Sequence, residues 1–237
     1  MKEYINDDNP VYFSYAWANT EHPDIEKDVE VLCKLLEENN IFYKRDKENL
    51  CPYRWSINDA EKEIGEGAAI IVVISEKYLR SLHCLHEWNQ IRANGKIWNR
   101  VFPIVLEDAQ ITKDEVFLKF YENLESEKNR IIQKQTEGKI PLTDVEKEAA
   151  NAGYYFDDLK YMYQYLANYN KSKISLLRAD CYKQIIDQLN NQLKNIRKKY
   201  TFYIPDGFIV EIHKGSLEDN PGCTIIKPKK YKCFEED

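Results

Sequence analysis

One short segment holds the densest group of side chains able to do chemistry. The hexapeptide HCLHEW supplies His83, Cys84, His86 and Glu87. Its histidines are three residues apart, which is not the H-E-x-x-H spacing of a metalloprotease, and no distant third ligand suggests itself. The chain also has no G-x-S-x-G elbow and no convincing Cys–His pair. We therefore expect no metal site, and Glu87 stands as an isolated carboxylate whose surroundings decide its role.

Glycine-rich loops that bind nucleotide phosphates are absent. No G-x-x-x-x-G-K-[ST] segment exists, and Gly65 and Gly67 form a lone G-x-G with Ile70 where the dinucleotide fingerprint needs a third glycine. We therefore expect no resident nucleotide cofactor. The six cysteines include no C-x-x-C pair, which argues against a zinc ribbon or a thioredoxin-type site and favours free thiols in a reducing cytoplasm.

Composition and charge exclude several classes of protein. The chain has 237 residues, of which 43% are hydrophobic and 31% charged, a globular profile. Its net charge of −6 is opposite in sign to a nucleic-acid footprint, so we expect no nucleic-acid partner. The longest apolar run, residues 68–74, is far shorter than the ~20 residues that span a bilayer. Residues 1–10 are acidic and polar, unlike a secretory signal, so we expect a cytoplasmic protein without a membrane partner.

The first half of the chain alternates strand and helix patterns. Short β-branched or aromatic runs predict strands at residues 11–15, 41–43, 69–75 and 101–106, and the segments between them have helical apolar spacing. Alternation of this kind predicts an α/β fold with a parallel sheet and right-handed crossovers, which we take to be doubly wound in the order 2-1-3-4. The third run is apolar on both faces and is expected at the centre of the sheet, with the short second run at its edge.

The second half of the chain differs from the first in composition and predicted structure. Residues 113–170 are rich in Glu, Lys, Tyr and Asn and predict a helical insertion. Residues 174–177 are expected as a last short strand, and 181–200 as an amphipathic helix. Two apolar runs within 201–237 predict a small C-terminal extension, expected as a hairpin docked on the helical insertion. We therefore divide the chain into a main domain, residues 8–200, and the extension, residues 201–237.

The predicted topology places a crevice at the carboxyl ends of strands 1 and 3. These ends carry the tripeptide Tyr15-Ala16-Trp17 and the segment 75–87, with Ser81 as the N-cap of the helix that contains Glu87. A carboxylate in the first turns of a helix, beside a crevice and an aromatic ring, suits a nucleotide-sugar ligand. The alternative is that Glu87 is simply an exposed carboxylate near the favourable end of a helix dipole.

Four segments resemble one family. They occur in the family's order and with similar spacing, and they read VYFSYAW (residues 11–17), FYKRDKENL (42–50), AIIVVISEKYLRSLHCLHEW (69–88) and VFPIVLED (101–108). They are similar to box 1, the second strand with its BB loop, the third strand with its S-x-x-C-x-x-E segment, and the fourth strand of Toll/interleukin-1 receptor (TIR) domains. The resemblance is to the bacterial, NAD+-cleaving type and covers about residues 10–110.

This resemblance implies a flavodoxin-like fold and an activity. Enzymatic TIR domains cleave the nicotinamide N-glycosidic bond of NAD+ to give nicotinamide and ADP-ribose or a cyclic isomer. By this likeness Glu87 is catalytic, and NAD+ is a substrate, with no further cofactor. The residues expected to contact NAD+ are Phe13, Ala16, Trp17, Asp46, Glu48, Ser81 and Cys84.

The resemblance also implies partners. TIR domains self-associate, and a stand-alone enzyme of this type is expected to act in immune, antiviral signalling, where a messenger-binding effector is a possible downstream partner. The competing interpretation is a non-enzymatic TIR–TIR interaction module or effector scaffold. The glutamate after the third strand distinguishes the two branches, and this chain has it as Glu87.

Overall fold

The computed structural model describes residues 10–17, 25–45, 57–109, 113–138, 140–152, 154–168, 173–200, 208–212 and 224–228. They divide between two compact units, Met1–Leu193 and Lys194–Asp237. No helix in these ranges is both long enough and apolar enough to cross a membrane. The predicted division at residues 200 and 201 stays a prediction.

A four-stranded parallel sheet forms the centre of the first unit. Its strands are β1 (Val11–Tyr15), β2 (Tyr43–Lys44), β3 (Ala69–Ile74) and β4 (Val101–Val105), in the order β2-β1-β3-β4. All six residues of β3 are fully buried, so both of its faces are covered, as its unbroken apolar sequence requires. The predicted α/β fold class, strand order, central third strand and edge second strand are confirmed.

Ten helices are described, and most lie in the first unit. They are α1 (Ile25–Glu38), α2 (Ile57–Glu66), α3 (Glu76–Arg80), α4 (Leu82–Ala93), α5 (Ile97–Arg100), α6 (Asp114–Glu137), α7 (Asp144–Ala152), α8 (Tyr154–Asn168), α9 (Ile174–Ala179) and α10 (Lys183–Tyr200). The segment predicted as a helical insertion contains α6, α7 and α8.

Two serines begin the helices that follow β3. The Ser75 hydroxyl accepts a hydrogen bond from the Tyr78 amide at 3.0 Å, and the Ser81 hydroxyl accepts one from the Cys84 amide at 3.3 Å. Each hydroxyl satisfies an amide that has no partner within its own helix. Ser75 thus starts the five-residue α3 and Ser81 starts α4, confirming Ser81 as an N-cap.

Helix α4 is fixed from two sides. On one side it crosses α2 closely, since a Cβ at Gly65 would lie 2.9 Å from the backbone carbon of Gln90. At the ends of both helices the buried Arg100 guanidinium donates to the carbonyls of Gly65, Gly67 and Ile91, at 2.9, 2.6 and 2.7 Å. Burial lowers the pKa of this guanidinium. These hydrogen bonds compensate the burial of the guanidinium and tie the end of α2 to the end of α4.

On the other side, α8 packs against α4. The rings of Trp88 and Tyr165 lie 5.7 Å apart, and Asp158, which is fully buried, accepts from Asn89 at 2.8 Å and pairs with Arg92 at 2.9 Å. The helical insertion therefore braces the helix that carries Glu87.

The predicted strand at residues 174–177 is wrong, because this segment belongs to helix α9. Ile174 and Leu177 are buried while Leu176 is 57% exposed, which is the i, i+3 spacing of a helix face and not the alternation of a strand. A four-residue segment with three apolar residues is too short for its period to be determined from sequence. Helix α10 then begins at Lys183, after two residues of positive φ, Cys181 and Tyr182.

The second unit contains an antiparallel pair of strands. Strand β5 (Phe208–Ile212) pairs with β6 (Thr224–Pro228), so that Phe208 lies opposite Pro228 and Ile212 opposite Thr224. The predicted pairing of the two apolar runs is confirmed. Docking of this hairpin on the helical insertion stays a prediction.

Candidate active site

A cavity of about 300 Å³ opens at the carboxyl end of β1 and beside α2, α3 and α4. The residues that line it are Tyr15, Ala16, Trp17, Ala60, Glu61, Ile64, Lys77, Ser81, His83, Cys84 and Glu87. This position is the crevice that the strand order predicts, because β1 and β3 are the neighbours from which the chain departs in opposite directions.

Glu87 is buried on the cavity side of α4. Only 7% of it is exposed, and its Oε2 accepts a hydrogen bond of 2.5 Å from the Ser14 hydroxyl. The alternative interpretation, in which Glu87 is an exposed carboxylate near the end of a helix dipole, is therefore wrong about its exposure. Glu87 is the sixth residue of α4 and shares the helix face of Cys84 and Ile91, which are also buried, so helical periodicity turns it inward.

A buried hydroxyl chain holds this carboxylate. Ser14 has a single proton, which it donates to Glu87, so the 2.9 Å contact between Ser14 and Tyr78 must be donated by the Tyr78 hydroxyl. Burial, followed by the charge of Glu87, raises the pKa of Tyr78 well above its ordinary value. The phenol therefore keeps its proton, and the chain Tyr78–Ser14–Glu87 has one fixed direction.

A second carboxylate lines the same cavity. Glu61 of α2 is only 1% exposed; its Oε1 lies 2.9 Å from His83 Nδ1, and its Oε2 lies 3.6 Å from His86 Nδ1. The hydrogen bond to Glu61 raises the pKa of His83. The side-chain amide nitrogen of Gln90 lies 2.9 Å from His86 Nε2. Because an amide nitrogen can only donate, that ring nitrogen is assigned as an acceptor.

The rim of the cavity carries a cation and an aromatic ring. Lys77 Nζ donates to the main-chain carbonyl of Trp17, and the Trp17 side chain is half exposed. A flat ligand could stack on this ring while an anionic group stays near the ammonium. The rim thus differs from the interior, where the carboxylates of Glu61 and Glu87 lie among mostly apolar wall residues.

The structure brings together most of the predicted site residues. Ala16, Trp17, Ser81, Cys84 and Glu87 all line the cavity. Phe13 is not among the lining residues; its ring is fully buried and packs edge-on against Tyr43, with centroids 5.9 Å apart. Strand alternation explains this, because Phe13 points to the opposite face from Ser14. The remaining two candidates, Asp46 and Glu48, lie outside the described residues.

Sequence reasoning missed the residues that complete the site. Ser14 had a signal, since it is the one small polar residue within the aromatic strand VYFSY. Tyr78 also had one, as the tyrosine between the two helix-capping serines. His83 stood out within HCLHEW, but only as a candidate metal ligand that the spacing argued against. Glu61 and Lys77 had no signal that we recognise, because each is a charged residue on a helix with many others. Among the described residues, no group of three or more His, Cys, Asp or Glu side chains is placed to hold a metal ion.

Comparison with known proteins identifies the family. A family model described as "TIR domain" matches residues 11–134, which is more than half of the chain. Among solved structures, a TIR-domain chain of the activated Roq1 resistosome, which directly recognises the pathogen effector XopQ, is 20% identical. The similarity covers 77% of this chain and 99% of that one, with a TM-score of 0.49. No curated protein matches. On the evidence of the family model, with the observed sheet in the same range, the chain belongs to the TIR domain family.

Proposed function

We propose that this TIR domain cleaves the bond between nicotinamide and ribose in NAD+, with Glu87 as the catalytic carboxylate. The products are nicotinamide and either ADP-ribose or a cyclic isomer of it. The observation that carries the proposal is the position of Glu87, buried, held by Ser14 and lining a cavity of about 300 Å³.

The reaction needs little more than a carboxylate. When the glycosidic bond breaks, its electron pair leaves with nicotinamide, which is cationic in NAD+ and needs no general acid. Positive charge then develops on the ribose, as in glycoside hydrolysis, and a nearby carboxylate stabilises it. Attack by water and loss of its proton give ADP-ribose, while attack by a group of the same molecule gives a cyclic product. Burial of Glu87 strengthens the interaction, because water screens it less.

The Ser14 hydroxyl has a positioning role in this proposal. It holds one oxygen of Glu87 at 2.5 Å, and Tyr78 holds Ser14 in turn. A carboxylate fixed in this way loses less freedom when the transition state forms. Cys84 and Ala16 provide apolar wall beside it.

Size and shape suggest how NAD+ lies. A volume of about 300 Å³ is at the small end of ligand pockets, so the cavity holds the nicotinamide riboside part of a dinucleotide and not all of it. The adenine end then extends past the rim, where Trp17 offers its exposed ring.

The competing function is an interaction module without catalysis, and product chromatography tests the two. Purified protein is incubated with NAD+ alongside Glu87→Gln, which can still accept from Ser14. Glu63→Gln is the matched control, because Glu63 lies on α2, accepts from Tyr12 and Lys44, and does not line the cavity. We expect nicotinamide release from the wild type and the control but not from Glu87→Gln. Near wild-type release by Glu87→Gln, or none by the wild type, contradicts the proposal.

We further propose that the protein self-associates through its TIR domain and that the assembly, not the monomer, is the active form; the loop at residues 46–55 lies outside the described residues. The rate should then rise more steeply than protein concentration. Strict proportionality, with a monomer throughout by light scattering, contradicts this. The resemblance to enzymatic TIR domains also leads us to propose a cellular role for the protein. That role is immune signalling in the cytoplasm, including antiviral defence, in which an effector binds the nucleotide product.

A further inference from the structure

The α2 side of the cavity has a charge arrangement that the proposed catalysis does not use. Glu61 is nearly inaccessible to solvent, yet it is a carboxylate with a histidine at each oxygen. A buried carboxylate is costly unless a cation or a set of hydrogen bonds compensates it. The identity of that cation follows from the contacts of the two histidines.

Of the two histidines beside Glu61, His86 is the neutral one. Its Nε2 accepts from the Gln90 amide, so its proton is on Nδ1, the nitrogen 3.6 Å from Glu61 Oε2. At 3.6 Å the Nδ1–H group of His86 contributes a dipole to Glu61 and not a short hydrogen bond. The 2.9 Å contact from His83 Nδ1 to Oε1 is therefore the stronger interaction of the two.

His83 is the partner that faces the ligand space. It lines the cavity, and 49% of its side chain is exposed, whereas Glu61 behind it is sealed. With Nδ1 donating to Glu61, the donor that the ring can offer a ligand is Nε2–H. A protonated imidazole in this position presents a hydrogen-bond donor and a positive charge at the same atom.

We propose that His83, held by Glu61, binds a phosphate group of the ligand that occupies this cavity. The proposal rests on the proposed function in taking that ligand to be a dinucleotide. A ligand with a pyrophosphate must approach two carboxylates, Glu61 and Glu87, and needs cations to do so. Lys77 supplies one from α3 at the rim, and His83 supplies the other from the first turn of α4.

The charged groups around His83 favour its protonated form. Glu61 faces it from α2 and Glu146 acts on it from α7, and both raise the pKa of His83, while partial burial lowers it. Glu87 and Cys84 from its own helix and Lys77 from α3 share the cavity wall. Because the net shift is upward, the ring is cationic below this raised pKa and neutral above it. Phosphate affinity should therefore weaken as pH rises through that value.

Calorimetric binding of ADP-ribose and of adenosine tests the proposal. ADP-ribose carries two phosphate charges that stay constant between about pH 5.5 and pH 8.5, the range in which histidine titrates, whereas adenosine carries none. For the wild type we expect ADP-ribose affinity to fall across this range and adenosine affinity to stay level. At the low-pH end of this range, His83→Gln should weaken ADP-ribose binding by about tenfold. It should also remove the pH dependence and leave the affinity for adenosine unchanged.

Two further variants separate a charge effect from a loss of structure. Glu61→Gln should shift the midpoint of the pH dependence downward, together with the titration of His83 seen by NMR, because the ring loses its anionic partner. Lys160→Gln is the control, because the Lys160 side chain is 53% exposed on α8 and is not part of the cavity lining. It should bind ADP-ribose like the wild type.

The outcomes distinguish this inference from the proposed function. NAD+ cleavage with ADP-ribose binding that is indifferent to His83→Gln overturns the inference alone. Absent cleavage with binding that depends on His83 overturns the function alone. If His83→Gln weakens adenosine and ADP-ribose equally, or if the wild type binds neither, His83 does not recognise phosphate and the inference is wrong.

Discussion

Glu87 on α4 and Asp158 on α8, the helix that packs against α4, are both buried carboxylates, but the groups around them differ. Glu87 is held by a neutral hydroxyl and faces a cavity, whereas Asp158 is held by Asn89 and Arg92 within a packed helix interface. Burial alone therefore does not mark a reactive carboxylate. What distinguishes Glu87 is the space in front of it, where charge can develop on a ligand.

The largest effect is expected at Glu87. Glu87→Gln should lower the rate of nicotinamide release by about a thousandfold, as loss of a preorganised electrostatic group does. The amide keeps the size of the side chain and an acceptor for Ser14, so the free energy of unfolding should change by less than about 1 kcal/mol. Single-turnover assays and urea denaturation measure the two quantities. A variant that loses both activity and stability would mean that Glu87 is structural, like Asp158.

Asp158 should behave in the reverse manner. Asp158→Ala leaves Asn89 and Arg92 without their partner and should lower the free energy of unfolding by about 2 kcal/mol, a figure reduced because Arg92 is partly exposed. Activity per folded molecule should not change. Urea denaturation at fixed pH measures the loss. Equal stability of Asp158→Ala and the wild type would show that α8 does not brace α4 through this contact.

The matched variant Asp158→Asn adds a pH test. Burial raises the pKa of Asp158, against the lowering effects of Asn89 and Arg92, so the folded state holds this proton more tightly than the unfolded state. Wild-type stability due to this group is therefore greatest below the usual aspartate pKa and falls as pH rises through the raised value. Asp158→Asn should lack that fall and should approach or exceed wild-type stability at neutral pH. A wild-type curve that rises relative to Asp158→Asn over the same range contradicts the assigned direction.

Some parts of this molecule can be predicted from sequence, and others cannot. Strand β3 and the Ser81 cap were predictable because an apolar run and a capping serine are local signals. The contact between Ser14 and Glu87 joins residues 73 positions apart, and Glu61 and His83 are 22 apart, so no local pattern encodes either pair. The strand order carried the prediction of the crevice, and it rested on the strand–helix alternation together with the fully apolar third run and the short second run. The contacts themselves depend on how α4 packs against β1, for Ser14 and Glu87, and against α2, for Glu61 and His83.

The smallest effect concerns the two aromatic candidates beside the cavity, Phe13 and Trp17. Trp17 is 49% exposed at the rim, while Phe13 is fully buried against Tyr43. Trp17→Ala should raise the KM for NAD+ by up to about tenfold, the value of one stacking contact, with a smaller change in kcat. Phe13→Leu should instead lower the free energy of unfolding by about 1 kcal/mol and leave KM unchanged, because the substitution affects only core packing. Steady-state kinetics and urea denaturation on both variants measure this separation. If Phe13→Leu raises KM as Trp17→Ala does, the ligand contacts the opposite face of β1, and the cavity beside Glu87 is not where NAD+ binds.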